Sequence, residues 1–489
     1  MTKSAEEKQM VDRYFKRCCS FLVVVLALSA CVTQKYQQPD MDVQGQLYRD
    51  TTLNGRDSAN NSIDKDTFSI ASIPYTTFFS DTVLQGLITA GIHENLDLKI
   101  AIQRINQATA SFRQSKAAFL PSLDANGNVT RNKQSIAALN LPPDFVGTFP
   151  LTTSNYQLSL STSWEADVWG KLKSAKRAAF AQWLSTDAAR RAIQTELVAS
   201  ITGYYYQLLS LDQQLHITEQ TLKNRIEDVE TMKAFKESAI VTGAAVVQSE
   251  ANRYAAEVSL PDLRRTIRET ENALSILLAR APGPVKRTAL SAQLVYPDVK
   301  AGLSSLLLKN RPDVQQAEFD FRAAFENTNI ARTYFYPQFT LTAQGGLSTL
   351  KIQNLFGMSV FYNIVAGLTQ PVFNKGLNKA RLRIALAQQR EAYYRYQQTL
   401  LNAGEEVSNA LYSYQTALEK QSSRKYQVEA LTKAVDYTKQ LLEYSSATNY
   451  TDVLTSEQSL LAAQLSGAND KLQQLLALVD LYRALGGGW

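Results

Sequence analysis

The chain has 489 residues, a formal net charge of +6, 20% charged residues and 45% hydrophobic residues. That length suggests two to four domains, and the small, scattered basic excess does not argue for nucleic acid. Beyond the N-terminus no run of 18 apolar residues occurs, so no transmembrane helix is expected in the processed chain.

Residues 1–30 read as a signal peptide. Arg13, Lys16 and Arg17 form a basic region, and Phe21 to Leu28 form an apolar stretch too short to span a bilayer. The start is open between Met1 and Met10, because residues 1–9 add nothing to the signal. Leu28-Ser29-Ala30-Cys31 resembles a bacterial lipobox, in which a thiol accepts diacylglycerol and the new amine is acylated. An ordinary signal with a stray cysteine is the plainer alternative. Cys18 and Cys19 lie inside the signal, so the processed chain keeps Cys31 alone and neither a disulfide nor a thiolate metal site is expected. Three acyl chains would anchor the chain stably, since one is marginal. Val32 stands where Asp would mark inner-membrane retention, which favours the outer membrane. Residues 31–78 then read as a polar, lipid-anchored tether.

The remainder nearly repeats itself. Asp97, Ala101, Ala108, Phe119 and Pro121 recur as Asp313, Ala317, Ala324, Phe335 and Pro337, 216 residues on. Later, Trp169-Gly170-Lys171 aligns with Phe373-Asn374-Lys375 and Ser249-Glu250 with Ser456-Glu457, at an offset of roughly 204–207, which implies a loss of about a dozen residues from the second copy. Two repeats, 79–284 and 285–489, are expected. Each runs helix, strand hairpin, then a pair of long helices.

In the first repeat a helix is expected over Asp81–Leu120, broken by Pro121. Leu123 to Thr130 alternates. So does Asn155 to Trp164, where Tyr156, Leu158, Leu160, Thr162 and Trp164 share one face and Gln157, Ser159, Ser161 and Ser163 the other. Ten residues suit a transmembrane strand, with a small polar face to water and an aromatic-ended apolar face to lipid. Leu172 to about Ser238 then holds no Pro and one Gly, Gly203. At 1.5 Å per residue such a helix is about 100 Å long, which points to a coiled coil or tube. Leu215, Leu222, Ile226 and Val229 mark its seam, and Ala178, Ala179, Ala188, Ala189 and Ala192 permit close approach. The chain turns near Val241-Thr242-Gly243 and returns with Pro261 inside the helix, where a kink or fresh turn is expected.

The second repeat follows suit. A helix is expected over Gly302–Tyr336, strands over Phe339–Gln344 and Tyr362–Leu368, and a long helix over Leu377–Ser445 with Val428, Leu431, Val435 and Leu442 on its seam. Leu461, Leu465, Ala468, Leu472, Leu475, Val479 and Tyr482 give the returning helix a heptad seam. Four strands cannot close a barrel, and an open edge cannot sit in lipid. Either these strands form a sheet packed on helices in a soluble protein, or several chains pool them.

Lipobox, tandem halves, hairpins and long helix pairs together resemble the outer-membrane factor family of TolC-like efflux and secretion ducts. Carrying the resemblance are Phe119-Leu120-Pro121-Ser122-Leu123, Trp169-Gly170-Lys171, Leu260-Pro261-Asp262-Leu263, Glu271-Asn272-Ala273-Leu274, Leu277-Leu278-Ala279 and Arg311-Pro312-Asp313-Val314. The lipoprotein form is most similar to members paired with resistance-nodulation-division pumps. The resemblance implies a mixed α and β membrane protein: a homotrimer with a 12-stranded barrel, four strands per protomer, on a periplasmic α-helical tunnel belted near residues 285–310. It also implies partnership with a periplasmic adaptor and an inner-membrane pump, and contact with membrane lipid. The stretch matching the family's periplasmic gate is Tyr444 to Gln458. Asp452 matches an Asp lining the narrowest ring, where three copies would face a narrow lumen and select cations. Asp452 is also a carboxylate suited to a helix N-terminus, and both roles can hold. Thr448 stands in place of a gate Arg and Thr455 in place of a second ring Asp. These departures put the family's usual salt-bridge lock in doubt, and packing by Tyr444 and Tyr450 is the expected substitute.

No catalytic residues, cofactor or metal site are expected. His93 and His216 are far apart, the Tyr204-Tyr205-Tyr206 cluster reads as helix packing, Gly486-Gly487-Gly488 as a flexible C-terminus, and acidic pairs on the helices as solvated faces. The expected function is a passive outer-membrane exit duct of a tripartite efflux system. A protein-secretion duct and a non-conducting, lipid-anchored coiled-coil structural protein remain the alternatives.

Overall fold

A computed structural model describes residues 33–39, 73–139, 150–294, 310–444 and 449–489. The signal peptide, Cys31, residues 295–309, and Ser445 to Thr448 lie outside the described residues. In chain order the elements are α1 (Tyr75–Phe78), α2 (Thr82–Glu94), α3 (Leu96–Ala117), β1 (Ser122–Lys133), α4 (Ile136–Leu139), β2 (Thr152–Ala166), α5 (Lys171–Glu237), α6 (Gly243–Leu277), α7 (Pro312–Thr333), β3 (Gln338–Thr349), β4 (Val360–Thr369), α8 (Leu377–Tyr444) and α9 (Tyr450–Ala484).

The repeat is exact in register until the hairpin loops. Both ends of α3 reappear 216 residues later in α7, and both ends of β1 in β3. Ser122 pairs with Ser163 while Gln338 pairs with Thr369, so β2 and β4 are 206 apart. The ends of α6 recur 207 residues on in α9. The shortening therefore falls in the loop joining β3 to β4. It also moves the sequence alignment at the strand-to-helix corner. Gly170 at φ 76° precedes α5 and Gly376 at φ 78° precedes α8, so Gly170 matches Gly376 and not Asn374. Only glycine takes that left-handed conformation without steric cost.

Four expectations are corrected. The first helix is two helices, because Asn95 leaves the helical region and its side-chain oxygen accepts from Leu98 N at 3.0 Å, capping α3. α6 runs on through Pro261, so no fresh turn begins there. Pro261 and Glu257 both lie on the solvent side, where the carbonyl that proline leaves free is open to water. The C-terminal glycines are packed rather than loose. Gly487 N donates to Tyr482 O at 2.9 Å, Gln194 Nε2 donates to Gly488 O at 3.2 Å and Trp489 Nε1 donates to Asn310 O at 3.1 Å. A methyl group on Gly487 would lie 2.5 Å from the Tyr482 ring. Ile226, placed on the seam of α5, is instead exposed, while Arg225, Val229 and Met232 point inward.

Two compact units are distinguished, and each draws on both repeats. One comprises Met1–Pro39, Asn106–Leu184 and Phe319–Tyr394. Its sheet is antiparallel with order β1-β2-β3-β4, leaving β1 and β4 as open edges. The polar face is laced across strands: Asn126 Nδ2 donates to Ser161 Oγ at 2.9 Å and Gln344 Nε2 to Ser159 Oγ at 3.0 Å. Leu123, Val129, Leu160, Leu341, Ile364 and Leu368 are exposed on the opposite face. Gly346 lets β3 lie against β2, since a Cβ there would meet Leu158 O at 2.1 Å. Trp164 Nε1 donates to Phe119 O and Trp169 Nε1 to Pro337 O, tying strand ends to the Pro-marked corners at 2.9 and 2.7 Å. Thr33 abuts Gly170, Gln34 and Asn329 exchange hydrogen bonds, and Tyr36 packs edge-on against Phe325.

The second unit comprises Asp40–Ile105, Ser185–Glu318 and Arg395–Trp489. Its main core gathers Leu84, Ile88, Ile201, Tyr205, Leu208, Leu209, Leu274, Leu475, Leu481 and Tyr482. Each such side chain stabilises the fold by about 1.5–3 kcal/mol. Tyr205 and Tyr206 are buried by packing, as the sequence suggests. Asp81 caps α2 through Val83 N at 2.9 Å and accepts from Tyr205, Thr288 and Gln293 at 2.7, 2.6 and 2.8 Å. Among the described residues no helix is long and apolar enough to cross a membrane, and no cluster of His, Cys, Asp and Glu is suited to a metal.

Candidate functional site

The site lies where the long helices turn. At the end of α5, Ala239 takes a left-handed φ of 59°, Ile240 N donates to Phe235 O at 2.8 Å and Ala239 N to Lys236 O at 3.0 Å. This satisfies the last carbonyls in the manner usual for a glycine, which is why Gly243 alone is a misleading marker of the turn. On the other hairpin, Asn449 begins α9. Its side-chain oxygen accepts from Thr451 N at 2.9 Å and Asp452 N at 3.2 Å, while Asn449 N donates to Asp452 Oδ2 at 3.2 Å. This reciprocal cap satisfies donors that a helix N-terminus leaves free. Asn449 was not singled out in the sequence, although Asn three places before Asp is the signal for it.

Asp452 therefore has the helix-terminal role allowed for it, and its residue is exposed. Thr455 is also exposed, with its hydroxyl turned back to Thr451 O at 2.8 Å. Tyr450 packs with Met232, Val246, Val453 and Leu454 into a small core that holds the two turns together. Burial pushes its hydroxyl pKa up. Tyr444 is 78% exposed in the single chain and does not join that core. A cavity of about 840 Å³ separates the turns, lined by Ile240, Val241, Leu442, Tyr444, Tyr450 and Thr451. Thr448 and Cys31 lie outside the described residues.

Behind this core is a charged cluster that the sequence did not reveal. Lys439 on α8 lies 3.1 Å from Asp228 on α5 and 2.7 Å from Glu457 on α9. Acidic residues read as solvated are thus half-buried partners here. Burial is the main cause holding the Glu457 carboxyl above its ordinary pKa; Asp228 adds to the effect and Lys439 opposes it. For Lys439, burial opposes the charge but the two carboxylates outweigh it and raise its pKa. Nearby, the Arg225 guanidinium donates to the Asn252 carbonyl. The arrangement holds no nucleophile–base pair. It is a tie between two helical hairpins, built from an apolar plug and a three-charge network.

The chain matches the family described as outer membrane efflux protein over residues 87–280 and 303–487. It is 30% identical to the cation efflux system protein CusC of Escherichia coli O157:H7 over 475 residues, covering 95% of this chain and 97% of that one. It is 28% identical to the probable outer membrane lipoprotein SilC of Salmonella typhimurium, covering 97% and 99%. Its fold is similar to the open state of the Neisseria gonorrhoeae MtrE outer membrane channel, with TM-score 0.80, 25% identity and coverage of 93% and 98%. With the family match in both halves of the chain, the four-stranded sheet and the paired long helices have one common explanation: the chain belongs to the outer membrane efflux protein family.

Proposed function

We propose that this protein is the outer-membrane exit duct of a tripartite efflux system, conducting small molecules passively from an inner-membrane pump and a periplasmic adaptor to the exterior. The observation that carries this reading is the sheet. It has two unpaired edges, a polar face laced by side-chain hydrogen bonds and an opposite face of exposed Leu, Val and Ile. Such a sheet is stable in lipid only when its edges are paired. Joining β4 of one copy to β1 of the next, three copies make a closed barrel of twelve strands, wide enough for an aqueous path.

The domain scheme fits that assembly: signal peptide 1–30, tether 31–78, and repeats 79–284 and 285–489. Lipidation at Cys31 is supported by Thr33, two residues on, which lies against Gly170 at the corner between strand and helix. The periplasmic gate is assigned to Tyr444, Thr448, Tyr450, Asp452 and Thr455. Its support is the clustering of the described members at the helix turns and the exposure of Asp452. In this reading a pump of the resistance-nodulation-division type supplies the driving force.

Purified protein in planar bilayers tests the duct. Discrete conductance steps are expected, and a silent bilayer with correctly inserted protein would refute it. A deletion strain exposed to dyes, detergents, antibiotics and copper salts identifies the cargo; unchanged sensitivity with wild-type conductance points instead to protein secretion.

A further inference from the structure

We infer that the polar face of the sheet ends, at the junction with the long helices, in a seat for a small aromatic oxyanion recognised by Arg381. The cavity there is about 280 Å³ and is lined by Glu165, Trp169, Lys171, Tyr334, Tyr336 and Arg381. Its position follows from the strand alternation. Glu165 continues the series Ser159, Ser161, Ser163 on β2, and it accepts from Gln338 Nε2 at 2.8 Å, one strand over on the same face. Ala166 and Phe339, paired on the opposite face, line it too, so the cavity spans the end of the sheet and reaches the water side through Glu165 and Gln338 in the duct reading, on which this inference rests.

The charges of the cavity are not equally available. Asp167 is occupied in capping α5, accepting from Leu172 N at 2.8 Å and Lys173 N at 2.9 Å. Glu165 holds Lys171 at 3.0 Å. Arg381 has neither an ion-pair nor a hydrogen-bond partner among the described residues. Its guanidinium lies 4.6 Å from the centre of the Tyr334 ring, whose other cation, Lys171, is 5.5 Å away. A guanidinium stacked on a ring keeps its N–H edges free, and that edge matches a carboxylate or phosphate with two parallel hydrogen bonds. Trp169 lies 4.9 Å from Tyr336 and supplies the apolar wall. A cavity of roughly 150 Å³ already accepts benzene, so a ring bearing one anionic group fits. Trp169, Tyr334, Tyr336 and Phe339 give the cavity an aromatic side, and apolar and aromatic side chains beside placed polar groups are the usual make-up of a small-molecule site.

Calorimetric titration of the full protein in maltoside micelles tests this, using benzoate, phenylphosphate and neutral benzamide as probes. Benzoate and phenylphosphate should bind, with benzamide weaker by about tenfold or more, the loss of a charge-assisted pair. Arg381→Ala should abolish that preference, Arg381→Lys should restore part of it and Arg383→Ala, on the same helix outside the cavity, should leave it unchanged. Equal binding of benzamide, or an Arg381→Ala protein that still prefers benzoate, overturns the seat. Loss of benzoate binding in phosphatidylglycerol nanodiscs would assign the same chemistry to a lipid headgroup and overturn the seat for a small molecule. Bilayer conductance is recorded on the same preparation, so a failed duct is told apart from a failed seat.

Discussion

Gly170 and Gly376 hold the same left-handed backbone, φ 76° and 78°, each immediately before the long helix of its repeat. They differ in surroundings. A Cβ at Gly170 would lie 3.2 Å from Thr33 Cγ2, whereas one at Gly376 would meet nothing within 4 Å. Both alanine variants should lose stability by about 1 kcal/mol from the backbone alone, and Gly170→Ala should lose more. Thermal unfolding in detergent checks the order; equal losses would mean that the Thr33 contact contributes nothing.

The two roles of Asp452 are separable. Asp452→Asn removes the charge but keeps an oxygen able to accept from Asn449 N. Bilayer recordings under a salt gradient should show reduced cation preference with little change in helix stability. Asn449→Ala should do the reverse, costing about 1 kcal/mol as faster hydrogen exchange at Thr451 and Asp452 while leaving selectivity unaltered.

Lys439→Met leaves Asp228 and Glu457 facing each other without a cation. Removing one partner of a fully buried pair costs about 3–5 kcal/mol, and partial solvent access reduces this to about 1–3 kcal/mol. Amide exchange at the start of α9 should quicken, and channel opening should become more frequent. Because burial first, and Asp228 second, raise the Glu457 pKa above 4.5, its stabilising contribution is complete below 4.5 and is lost as pH rises through the folded value. Protection at the turns should therefore increase on acidification. A flat or opposite pH profile contradicts this role for Glu457.

Asp81 behaves in the opposite sense. Burial would raise its pKa, but hydrogen bonds from Thr288, Tyr205 and Gln293 prevail and hold it below 3.8. Its contribution is present above 3.8 and fades as pH falls through the folded value. Asp81→Ala should cost about 2–4 kcal/mol, from a lost cap and orphaned partners, and unfolding curves of the variant should lack the wild-type decline at acid pH.

The legible part of this chain was periodic. Alternation from Asn155 to Trp164 and the uninterrupted run after Leu172 each follow from one backbone geometry repeated many times, and the recurrence of Asp97 as Asp313 marks the repeat in the sequence itself. What stayed hidden depends on distant partners. Lys439 meets Asp228 only because two hairpins lie side by side, so all three charges resemble ordinary solvated helix positions in the sequence. The C-terminal glycines look loose because glycine serves both mobility and close approach; only the Tyr482 ring distinguishes them. Asn95 breaks a helix that its neighbours would continue, because its buried amide has a partner in Leu277 O, 3.0 Å away.

A duct exists only if copies pool their strands, and the mass of the detergent-solubilised particle tests that most directly. Light scattering corrected for bound detergent should give three processed chains, each lighter than the 54.4 kDa of the full sequence by the signal peptide. A stable, folded particle containing a single chain, with β1 and β4 still unpaired, would contradict it.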